Sequence, residues 1–63
     1  MSLTTAQLNQ QAAIQALQKG SSAKHKEAAR SLCLHSDVDS LLALGAITHD
    51  QSYRAHRALH RTS

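Results

Sequence analysis

No proline interrupts this chain, and glycine occurs only at Gly20 and Gly45. Proline and glycine are the residues that most oppose a helix interior. Long stretches are therefore free to coil, and the two glycines mark where coiling stops. The stretches between them are rich in Ala, Leu, Gln, Lys and Arg and poor in β-branched residues, a composition that favours helix. The chain is predicted to be all-α, with three to four short helices in a single domain of 63 residues.

Local signals divide it. Thr4 or Thr5 caps a first helix over 5–19, and Gly20 stops it. Gly20-Ser21-Ser22 forms a hinge, and Ser22 caps a second helix over 22–34. His35-Ser36 is a break, after which Ser36 or Asp37 caps a third helix over 37–44, with Asp37 suited to the positive end of the helix dipole. Gly45 ends that helix in a left-handed conformation. Thr48-His49-Asp50-Gln51 has the T-x-x-Q form of a capping box and opens a last helix over 48–61. Asp37–Arg61 then reads as a C-terminal helical hairpin.

The core has little to draw on. There is no Trp, no Phe and one Tyr. The expected apolar centre is Ile14, Leu17, Leu32, Val38, Leu41, Leu42, Ile47 and Leu59. A domain this small is marginal alone and gains from disulfides, a metal or oligomerisation. Cys33 is the single cysteine, so an internal disulfide is excluded. A homodimeric bundle is predicted instead. Leu3, Ala6, Gln10, Ala13 and Leu17 follow alternating steps of three and four, a coiled-coil seam in which Gln10 would set the register of two paired chains. Leu8 falls on the opposite side of that helix.

Charge and topology narrow the setting. The start, MSLTTAQLNQQAAI, has no basic opening and no apolar run of signal length, and no stretch approaches the ~20 apolar residues of a membrane span. A cytoplasmic protein is predicted, and a lone cysteine suits a reducing compartment. Net charge is +3 with histidines neutral, and protonating the five histidines would raise it to +8. Lys24, Lys26 and Arg30 make a modest basic strip on the second helix, read as a solvated face. Cys33 reads as a small buried hydrophobe.

The last helix carries the chemistry. At about 100° per residue it divides into three stripes. Ala55, Ala58 and Leu59 are apolar; Arg54, Arg57 and Arg61 form a basic edge; His49, Tyr53, His56 and His60 form a ladder. A stripe of Tyr and His flanked by Arg has the composition of a protein interface. The predicted partner-binding residues are Tyr53, Arg54, His56, Arg57, His60 and Arg61. A helix-turn-helix reading would send the arginines to phosphates or guanines of nucleic acid. A zinc reading would use the i, i+4 pair His56 and His60, completed by Cys33 and His35. The four acidic residues are scattered and form no catalytic carboxylate pair, so no enzyme and no cofactor are expected.

The LLALG-x-IT run within Leu41–Leu59 resembles the short helical-hairpin module called SHOCT. That module carries an aromatic four residues after the Thr; here the position is Ser52, and Tyr53 stands one later. The resemblance implies no activity for this chain. The reading that results is a small non-catalytic regulator or inhibitor that binds a larger protein, of the kind mobile elements encode.

Overall fold

A computed structural model describes residues 2–20 and 22–60. Among them the fold is wholly helical. The elements are α1 (Thr5–Ala16), α2 (Ala23–Leu32), α3 (His35–Ala43) and α4 (His49–His60), with a single 3-10 turn over Leu17–Lys19 continuing α1. The C-terminal end of the last predicted helix, at Arg61, lies outside the described residues.

The helix starts follow local chemistry. Thr4 and Thr48 build the same capping box. Gln7 N–H donates to Thr4 Oγ1 at 3.1 Å while Thr4 N–H donates back to Gln7 Oε1 at 2.9 Å. Thr48 and Gln51 repeat both bonds at 2.9 and 3.1 Å. Each box satisfies two backbone donors that a helix start leaves open. Ser22 caps α2, its hydroxyl accepting from His25 N–H at 3.3 Å. The His25 ring turns back to the Gly20 carbonyl.

The third helix departs from expectation. It begins at His35, with Leu34 in the capping position. Asp37 caps from within: its Oδ2 accepts Leu34 N–H at 2.8 Å. A carboxylate at the third helical position can reach back to the residue before the helix, so the start sits two residues ahead of the predicted one. His35 thereby joins α3.

Gly45 ends α3 as predicted. Its φ is 75°, a region where a side chain would clash. Gly45 N–H donates to Leu42 O at 3.0 Å and Ala46 N–H to Leu41 O at 2.9 Å. That pair of bonds is a Schellman motif, closing carbonyls the helix end would otherwise leave unpaired.

Ile14, Leu17, Ala29, Cys33, Val38, Leu41, Ile47, Ala55, Ala58 and Leu59 form the buried core. Leu32 is not in it: the side chain is 45 % exposed. Ala29 and Cys33, one turn apart, face inward in its place, and their small size brings α2 close to its neighbours. Leu42 is only partly buried against the cluster. Apart from these two, the predicted apolar centre is buried.

The seam on α1 also departs. Ala6 is exposed, while Ala13, Ile14 and Leu17 face the core. Gln10 Nε2 donates to the Leu32 carbonyl at 2.9 Å, one of the acceptors left open at the end of α2. Gln11 Nε2 donates to Ala46 O at 2.7 Å. Gln18 donates to Asp50 Oδ2 at 3.1 Å and accepts from Gln51 Nε2 at 2.8 Å. Gln10, Gln11 and Gln18 thus tie the first helical segment to the end of α2, the α3–α4 connection and α4 of the same chain.

Candidate functional site

The first turn of α3 and the outer face of α4 enclose an open groove of about 440 Å³, lined by His35, Tyr53, His56, Arg57 and His60. Four of these lie on α4 at steps of three, one and three, so they cover one broad face of the helix. Their common orientation follows from the opposite face, where Ala55, Ala58 and Leu59 are buried.

The groove is organised by a hydrogen-bonded chain. His56 Nε2 lies 3.0 Å from Asp39 Oδ1. His56 Nδ1 lies 2.7 Å from His35 Nδ1. The two rings are within 8° of parallel, with centroids 5.0 Å apart. They are not stacked face to face, since two parallel rings whose nitrogens approach to 2.7 Å cannot hold the usual stacking separation. They meet edge to edge in nearly one plane, each Nδ1 aimed at the other.

That geometry assigns the protons when both rings are neutral. Ionised Asp39 only accepts, so His56 donates from Nε2 and keeps a lone pair on Nδ1. His35 must then donate from Nδ1. Its Nε2 is left as the acceptor end of the chain. Asp39 and His35 are four residues apart on α3 and address the same neighbour on α4.

Tyr53 is 62 % exposed. The Arg57 guanidinium lies over its ring, 5.7 Å from the centroid, within cation–π range. The pair presents an aromatic surface and a charge at one lip of the groove. Arg54 takes a different course: its Nε donates to Asp50 Oδ2 at 2.9 Å. The Arg54 hydrogen bond, with a second from Gln18, holds the Asp50 carboxyl below its ordinary range. Arg54 is outside the groove lining, and Arg61 lies outside the described residues. His49, first rung of the predicted ladder, is exposed and also outside the lining.

The four residues considered for zinc do not converge. His35 and His56 meet, and His60 lines the same groove. Cys33 is buried in the core, its Sγ 3.9 Å from the Gln10 carbonyl. Burial, and secondarily the nearby Asp37 charge, push its thiol up to about 11, so it stays protonated at neutral pH and is a poor nucleophile or ligand. Among the described residues no group of three or more His, Cys, Asp or Glu is arranged to hold a metal ion.

Sequence reasoning missed Asp39 and saw His35 only as a metal candidate. The signal was present: i, i+4 residues share a helix face. It is legible only when the helix is begun at His35. No helix among the described residues is long and apolar enough to cross a membrane. No family model, curated protein or solved structure matches the chain, so its likeness to the helical-hairpin module stays confined to LLALG-x-IT.

Proposed function

We propose that this protein acts without catalysis, by docking a larger protein on the α3–α4 groove, as a cytoplasmic regulator or inhibitor. The observation that carries the reading is Tyr53, left mostly exposed beside Arg57 at the lip of an open groove. An exposed large aromatic paired with arginine is the residue chemistry of interface hot spots. The described lining of the groove holds no serine, threonine or cysteine, and the one thiol of the chain is buried. Self-association belongs to the same reading: Leu8, Leu32, Leu34 and Leu44 are all exposed, and a second copy would cover apolar surface that a small core leaves open.

The test is photo-crosslinking. A benzophenone amino acid placed at position 53 should capture a protein from nuclease-treated extract of the source cells. The same residue placed at Leu8 should capture a different set of bands. Capture of nucleic acid alone from untreated extract, with nothing captured once nuclease is added, would reject the reading. On the basic edge Arg54 is already engaged by Asp50.

A further inference from the structure

The groove has a sign. Its described lining holds one arginine, three histidines and a tyrosine, and no carboxylate. Asp39 reaches it only through His56. Asp37, two residues along from His35, is directed to the Leu34 N–H. Neither α1 nor α2 contributes to the lining. Among the described residues, the charged and titratable groups around His35 are therefore Tyr53, His56, Arg57 and His60 from α4, with Asp39 and Asp37 from its own helix.

We infer that the groove seats an acidic segment of the partner protein, and that seating its carboxylate draws one proton from solvent onto His35 Nε2. The inference rests on the partner-binding reading above and names the partner's chemistry. In the neutral chain His35 Nε2 presents a lone pair, which repels a carboxylate. Taking up a proton there makes that nitrogen a charged donor on a ring that lines the groove together with Arg57, while Nδ1–H continues to donate to His56. No other bond changes.

The chain accepts one proton in this way and not two. A second proton would have to sit on His56 Nδ1, facing the Nδ1–H of His35 across 2.7 Å. Two N–H groups cannot point at each other at that distance. The pair would part first. Charge-assisted hydrogen bonds to a carboxylate are about twice as strong as neutral ones, so protonation and carboxylate binding reinforce each other. Proton uptake at one site makes affinity rise by up to about tenfold per pH unit on the alkaline side of imidazole titration.

The experiment uses the full chain and a fluorescein-labelled peptide of alternating glutamate and leucine, with its glutamine counterpart. Affinity for the glutamate peptide should climb toward tenfold per unit as pH falls from about 8 to about 6, and that for the glutamine peptide should stay level. His35→Gln should flatten the glutamate slope, while His49→Gln, exposed and outside the groove lining, should keep it. Imidazole nitrogen NMR of the unsubstituted protein should show His35 as the Nδ1–H tautomer at the alkaline end, a readout independent of how any variant folds. A slope that survives His35→Gln, a His35 protonated on Nε2 at the alkaline end, or tighter binding of a duplex oligonucleotide than of the glutamate peptide would overturn the inference. A protein captured at position 53 whose binding ignores pH would remove this inference alone; no captured protein would remove the partner reading with it.

Discussion

At the scale of single residues, the molecule depends on a few positions for distinct reasons. Leu41, Ile14 and Val38 are fully enclosed. Leu41→Ala should cost about 2–5 kcal/mol, the range for deleting a buried leucine side chain, read by urea denaturation. In a domain with so thin a core that loss should leave much of the population unfolded. Gln10→Ala should cost about 0.5–1.5 kcal/mol by removing the partner of the Leu32 carbonyl. Gln15→Ala, on an exposed position of the same helix, should stay within about 0.5 kcal/mol. A change of oligomeric mass in Gln10→Ala would instead restore the role of setting register between chains. Cys33 gives a pH signature. Its folded thiol titrates at about 11 against 9.0 for the free group. Folding then carries no thiol penalty below pH 9, and stability should fall as pH rises from 9 toward 11, because the unfolded chain ionises first. Chemical denaturation at stepped alkaline pH reads this, and Cys33→Ala should remove that component.

At the scale of elements, starts and stops are local and should fail locally. Thr48→Ala removes the acceptor for Gln51 N–H and should cost about 0.5–2 kcal/mol. Thr4→Ala removes the same bond from α1 and should cost an amount in the same range. Gly45→Ala forces a side chain onto a φ of 75° and should cost about 1–2 kcal/mol, although the space around the position is open. These boundaries were readable because each depends on residues three or four apart. The start of α3 was not. Ser36 and Asp37 both suit a cap, and the choice went to Leu34 because Asp37 can serve its N–H from inside the helix. Two residues of difference decided whether His35 faced α4.

At the scale of the whole molecule, a Cα radius of gyration of 10.4 Å is close to the roughly 10.6 Å expected of a globular domain this long. One chain therefore reaches full compaction. Whether a second copy adds stability is measured directly: the proposed homodimer requires a melting temperature that rises with protein concentration, and a concentration-independent melt would leave the exposed leucines to the larger partner. The sequence by itself determined the four helices apart from the start of α3, a threonine cap on α1, the T-x-x-Q box at Thr48, the two glycine stops and the small-residue face of α4, because these follow from backbone sterics and from side chains within one turn. Only the tertiary structure decided that Ala29 and Cys33 displace Leu32 from the core, that Gln10, Gln11 and Gln18 bind distant segments of the same chain, and that Asp39, His56 and His35 form one chain of hydrogen bonds. Those depend on how far each helix is rotated about its axis and which neighbour it meets. Packing sets that rotation, and periodicity within one helix carries no information about it.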